Sequence, residues 1–161
     1  MKLTNLFRFG APFLGVLLLA STASASFNLF TPVSGSDFTP LSSPNTSPLI
    51  HFNGSLFNPA SSQQTAEVSL GHSQGGSGNN FTVYVRNDAS VVQCTLFAIN
   101  SASGAITPFG PASSSALNGN TSFTISTSLP TGDFFYSLDC TLPAASSVSN
   151  QAAVVGVSPN H

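Results

Sequence analysis

Gly71-His72-Ser73-Gln74-Gly75 is the stretch whose wording most invites catalysis. It fits G-x-S-x-G, the strand-to-helix turn that presents a hydrolase serine, and residues 67–70 before it alternate like a strand. Such a serine also needs a histidine base, an acid to orient it and an oxyanion hole. Along the chain, Ser73 is followed by Asp88, Asp133 and Asp139, and then by His161. The context argues against a nucleophile. Gly75-Gly76-Ser77-Gly78-Asn79-Asn80 is a poor start for a helix, and helical periodicity is lacking after the first 25 residues. His161 is the last residue of the sequence, where an imidazole is poorly held. Residues 71–80 therefore read as a flexible loop between two strands.

The other reactive side chains form no familiar set. A glycosidase needs two carboxylates across a cleft, whereas Asp133 and Asp139 lie six residues apart along one expected strand, roughly 20 Å. Asp139 has the opposite parity to Cys140 and is expected to face solvent. His51 and His72 supply two imidazoles where a metal site wants three or four donors. Calcium needs clustered carboxylates, and the five acids are scattered. No cofactor and no metal are expected. Asn45, Asn53, Asn80 and Asn120 each begin an N-x-S/T triplet, the glycan acceptor pattern, which a Ser/Thr/Asn-rich chain also produces by composition alone.

Cys94 and Cys140 are the two cysteines. In an exported chain an even count reads as a disulfide. Strand period places Val92, Cys94 and Leu96 on one face, and Phe134, Tyr136, Leu138, Cys140 and Leu142 on another. Each cysteine thus sits on an apolar face where two sheets can meet. Closing a loop of this length stabilises by about 4 kcal/mol in the chain-entropy picture.

Export is read from residues 1–25. Lys2 and Arg8 precede an apolar run, Ala11 to Leu19, and Ala23-Ser24-Ala25 supplies the small-residue exit, so cleavage is expected between Ala25 and Ser26. The run is shorter than the roughly 20 residues of a membrane span. The expected product is secreted or periplasmic, with no membrane insertion after cleavage. Losing Lys2 and Arg8 leaves Arg86 as the sole cationic Lys or Arg, against Asp37, Glu67, Asp88, Asp133 and Asp139. One arginine cannot neutralise a row of phosphates, which excludes nucleic acid as a partner and removes attraction to an anionic membrane.

Three segments are expected: a signal peptide at 1–25, an extended Pro/Ser-rich arm at 26–60, and a β-sandwich domain at 61–161. Pro32, Pro40, Pro44, Pro48 and Pro59 break any long element in the arm, whose best strand candidate is 48–53. From Thr65 the alternation is regular, with Val68 and Leu70, then Phe81, Val83 and Val85, then Phe123 and Ile125 as the apolar partners. The run 152–157 is apolar throughout and suits a central strand. Turn formers separate these runs, and Asn118-Gly119 favours a two-residue hairpin. The pattern predicts an all-β chain, an immunoglobulin-like antiparallel sandwich of about seven strands with one disulfide.

The motifs Asn53-Gly54-Ser55-Leu56-Phe57-Asn58, Thr82-Val83-Tyr84-Val85-Arg86-Asn87, Val92-Gln93-Cys94-Thr95-Leu96 and Tyr136-Ser137-Leu138-Asp139-Cys140-Thr141-Leu142-Pro143 resemble a group of uncharacterised secreted bacterial β-sandwich proteins. Those share a C-T-L strand, a later Y-x-x-x-C-x-L-P strand and a short final strand. The resemblance implies export and a sandwich, and it implies no activity.

Function is then expected to be non-enzymatic. The leading expectation is an extracellular structural or interaction domain, adhesin-like or part of an envelope or matrix, binding an unknown protein or glycan partner or associating with itself. A carbohydrate-binding module is the alternative, with Tyr84, Phe97 and Phe135 as candidate ligand contacts, because sugar sites need exposed rings. A serine hydrolase built on Ser73 is the least favoured.

Overall fold

The structure, a computed structural model, describes residues 28–29, 32–41, 49–75, 78–147 and 150–160. The expected cleavage residues Ala23, Ala25 and Ser26 lie outside these, as do Asn45 and His161. The described strands are β1 (Asn28–Leu29), β2 (Val33–Ser34), β3 (Thr39–Pro40), β4 (Ile50–Phe52), β5 (Ser55–Phe57), β6 (Gln64–Gly75), β7 (Asn80–Asn87), β8 (Gln93–Asn100), β9 (Ile106–Ala112), β10 (Gly119–Ser126), β11 (Gly132–Leu142) and β12 (Ala153–Asn160). The helical content among the described residues is one 3₁₀ turn, Gly35–Asp37.

The strands form two antiparallel sheets. The first runs β1-β6-β11-β8-β9, with β3 also on β6; the second runs β10-β7-β12-β5-β4, with β2 also on β12. The expected β-sandwich is therefore what the chain builds, and β6 to β12 are its seven long strands. The apolar run ending at Val157 does occupy the middle of its sheet, as β12. Alternation delivers Val68, Leu70, Leu96, Tyr136 and Leu138 of the first sheet and Phe81, Val83, Val85 and Val154 of the second to one buried core. Residues 33–57 contribute as well: Phe38 and Leu56 are buried in that core.

Cys94 and Cys140 form the disulfide. They are direct register partners on β8 and β11, neighbouring strands of one sheet. In immunoglobulin domains the bridge spans the two sheets; here it locks a pair within the first sheet, with both sulfurs on its inner face. The parity expected for both cysteines holds, while the strand order decides that the two faces are one.

Most connections cross between the sheets, so their backbone groups leave one ladder before reaching the next. Three buried asparagines satisfy them. Asn58 donates to the carbonyls of Ser62 (2.9 Å), Leu142 (3.1 Å) and Pro143 (2.8 Å) and accepts from the Ala60 N–H (2.9 Å). Asn79 donates to the Tyr136 hydroxyl (3.2 Å), and its backbone N–H and carbonyl pair with Thr127. Asn87 donates to the carbonyls of Ser114 and Ala116 and accepts from the Val92 N–H (2.9 Å). Beside it, Asp88 is held below the usual carboxylate range by hydrogen bonds from Ser146, its side chain foremost and its backbone N–H as well.

One turn expectation changes. Asn118-Gly119 does not close a two-residue hairpin; it ends the crossing from β9 in one sheet to β10 in the other, with Asn118 at φ 56°. The tight hairpin belongs to Asn53-Gly54 between β4 and β5, where both residues have positive φ, 48° and 75°. Gly35 is required for a different reason, since a Cβ there would lie 2.1 Å from the Val154 carbonyl oxygen.

Asn58→Ala is expected to lower unfolding free energy by about 3 kcal/mol, because it strands several buried backbone groups at once. Exposed Asn120→Ala is expected to change it by less than about 0.5 kcal/mol. Urea unfolding of the two variants checks the contrast.

Candidate functional site

Residues 71–75 are strand. β6 runs unbroken to Gly75, and β7 begins at Asn80, with no helix among the described residues between them. This corrects the expected loop, and the cause is a β-bulge. Tyr136 pairs with Gly71 and Ser137 with Ser69, leaving Leu70 as the extra residue. Gly71 has φ 99°, in the region that glycine occupies without strain. The remaining motif residues alternate across the sheet. Ser73 is fully buried, with its Oγ 3.4 Å from the donating Asn79 Nδ2. His72 points to the opposite, outer face. A serine sealed in the core cannot attack a substrate, and its neighbour cannot serve as its base.

The outer face of the first sheet gathers side chains from five strands, β9, β8, β11, β6 and β3. Across it, one row pairs Ile106 with Ile99, Ile99 with Phe135, and Phe135 with His72. The next row pairs Pro108 with Phe97, Phe97 with Ser137, and Ser137 with Ser69. Beyond these, Thr95 pairs with Asp139, Asp139 with Glu67, and Glu67 with Thr39. An apolar stripe therefore lies beside a stripe of hydroxyls and carboxylates. Phe135 is 51% exposed and Ile106 62%, while Phe97 and Ile99 are half-buried. The His72 ring lies 5.2 Å from that of Phe135, and its Nε2 is 3.8 Å from Asp133 Oδ1. Phe97 is the diagonal neighbour of Phe135, roughly 7–8 Å away by sheet geometry.

Along β6 this face opens into a cleft of about 600 Å³, lined among others by Val33, Asp37, Thr39, Glu67, Ser69 and Ser137. That volume is within the range of small-ligand sites. Asp37 is positioned by the 3₁₀ turn, whose N-cap residue Ser34 donates its backbone N–H to the Asp37 carboxylate at 3.0 Å.

The structure thus unites two of the three sequence-chosen rings. Phe97 and Phe135 share one face; Tyr84, 45% exposed, stands on β7 in the second sheet, paired with Ser122 and Gly156, on the opposite outer surface. His51 lies on β4, also in the second sheet and away from His72. Among the described residues no three His, Cys, Asp or Glu side chains come together as metal donors. Asn53, Asn80 and Asn120 are exposed. Sequence reasoning missed Ile99, Ile106 and the Glu67–Asp139 pair, and weighed His72 as a motif residue and metal donor rather than as a neighbour of Phe135. Their parity was readable, but which strands lie side by side was not.

Burial pushes the Asp139 carboxyl up, and the Glu67 carboxylate opposite adds to it. A raised folded-state value means that the native state prefers the proton, so this group destabilises once ionised. Below the ordinary value of 3.8 the penalty is absent, and it develops as pH rises through the raised value. Asp139→Asn is therefore expected to match the parent near pH 3. At pH 7 it should be more stable by roughly 0.2–1 kcal/mol, the range of a cross-strand pair. Thermal melts across that interval check the sign.

No family model matches the sequence, and no curated protein matches it. Solved structures with a similar course of chain include TmCBM61 in complex with β-1,4-galactotriose (9% identity, 86% of this chain, 89% of that chain, TM-score 0.44). They also include CBM35 from Paenibacillus barcinonensis (11%, 83%, 99%, TM-score 0.44) and the carbohydrate-binding module CBM36 in complex with calcium and xylotriose (16%, 81%, 99%, TM-score 0.42). All three scores fall below 0.5, so the fold and the site rest on this chain's own strands.

Proposed function

We infer that the protein is an exported, non-catalytic binding domain whose outer β-sheet face holds a glycan. The observation that carries this reading is the pair of exposed Phe135 and half-buried Phe97, diagonal neighbours on an outer sheet face that runs into a cleft of hydroxyls and carboxylates. A pyranose has an apolar C–H face and a rim of hydroxyls. Aromatic rings on the sheet face take the first, and Ser69, Ser137, Thr95 and the neighbouring carboxylates accept or exchange hydrogen bonds with the second. The rows repeat every second residue along β11, roughly 7 Å, which suits an extended chain of sugars lying along the strand. A rigid sheet also orders few side chains on binding.

The wider expectation of a structural or self-associating component has its own observation. Among the described strands β4 ends the second sheet, and its Ile50 and Phe52 are 49% and 62% exposed. An apolar edge strand offers a template to another strand.

Phe135→Ala is expected to weaken binding of a neutral β-linked polysaccharide about tenfold or more, near 1.4 kcal/mol per decade. Tyr84→Ala should leave it unchanged. Affinity electrophoresis in gels containing the polysaccharide measures both; retardation insensitive to Phe135 would move the site elsewhere. For the edge strand, Ile50→Lys with Phe52→Lys should abolish any concentration-dependent association seen by light scattering, and association that persists would exclude β4.

A further inference from the structure

Charge is distributed unevenly over the two sheets. Glu67, Asp133 and Asp139 all stand on the outer face of the first sheet, and Asp37 lines the cleft beside Glu67. Arg86, the sole Lys or Arg among the described residues, stands on β7 in the second sheet, with Asp88 next to it. Three of the protein's five acids therefore stand on the face of the aromatic platform and a fourth lines the adjoining cleft; His72 faces Asp133 at 3.8 Å, and no Lys or Arg among the described residues balances the group.

Their spacing along β11 is regular. Asp133 is one outward step before Phe135, Ser137 is one step after it, and Asp139 one step further. Each step is roughly 7 Å, so a carboxylate flanks the platform at either end. Glu67 directly opposes Asp139 across the ladder, and like charges in that position destabilise each other. A bound cation would relieve this repulsion, while an anion would increase it.

We propose that the glycan taken by this face carries free amino groups: a β-linked amino-sugar polymer whose pyranose rings rest on Phe135 and Phe97 while its ammonium groups meet Asp139, Glu67 and Asp133. This rests on the glycan-binding reading above and adds the charge class of the ligand. Chains of uronic acids are rejected by the same carboxylates. The ammonium contacts are partly solvated, so they are screened by salt and select among glycans more than they supply affinity.

The test uses the full exported chain and three probes of equal length: glucosamine oligomers, their fully N-acetylated counterparts and oligogalacturonates. Isothermal titration near pH 6 and low salt should show the free-amine oligomers binding about tenfold more tightly than the acetylated ones, with no uptake of oligogalacturonate. That advantage should shrink towards unity in 0.5 M NaCl, and also in the Glu67→Gln/Asp139→Asn protein, in which a repulsion has been removed and folding is not threatened. Phe135→Ala should weaken the free-amine oligomers as well, which separates sugar recognition from simple attraction of a polycation. Equal affinity for free-amine and acetylated oligomers, or binding of oligogalacturonate, would overturn the charge assignment and leave the glycan site standing. Failure of every saccharide to bind would remove both.

Discussion

The fold depends on how backbone polar groups are satisfied where the chain leaves one sheet for the other. Arg86 is the sole Lys or Arg among the described residues, too few to tie such crossings with ion pairs. The chain uses amides instead. Asn58, Asn79 and Asn87 are buried, and each reaches backbone or hydroxyl partners far along the chain. An amide carries both donors and an acceptor, so a single side chain can close a corner in both directions. Every buried side-chain polar atom among the described residues has a partner. Left unmet, such groups would cost more than the net gain from most surface contacts.

With the corners fixed by amides, the apolar residues are free to follow strict alternation. Inward positions on β6, β8 and β11 fill the core, and the disulfide joins two of these strands face to face with the second sheet. The outward positions of the same strands then stand in ordered rows. The bulge at Gly71 lets β6 keep pairing with β11 on both sides of the irregularity, which brings His72 beside Phe135 and leaves Glu67 beside Asp139. One glycine with positive φ thereby aligns the apolar stripe and the acidic stripe on a single surface.

Much of this was legible in the sequence, and the remainder fails for definite reasons. Parity along a strand is local, so the inward cysteines and the outward Phe97 and Phe135 could be read directly. Strand adjacency is not local. Nothing in Val92 to Phe97 says that its neighbour is β11, so a disulfide between neighbours and one between sheets look alike from sequence. The same limit hid the Glu67–Asp139 pair and the distance of Tyr84 from the other rings. Gly71 misled because glycine serves a bulge as well as a nucleophile turn, and the glycine-rich residues after it resemble a loop. Asn118-Gly119 and Asn53-Gly54 carry the same turn signal, and only sheet membership tells a hairpin from a crossing. The strands at 33–57 are two or three residues long, too short for any period to register.

Everything proposed for function turns on ligand meeting the outer face of the first sheet. Backbone amide shifts followed by NMR during titration with a neutral β-linked oligosaccharide test it most directly. The largest changes are expected on Phe97, Ile99, Phe135 and Ser137, with Tyr84 and its neighbours on β7 unaffected. Changes concentrated on β7, or at the β4–β5 hairpin, would contradict it.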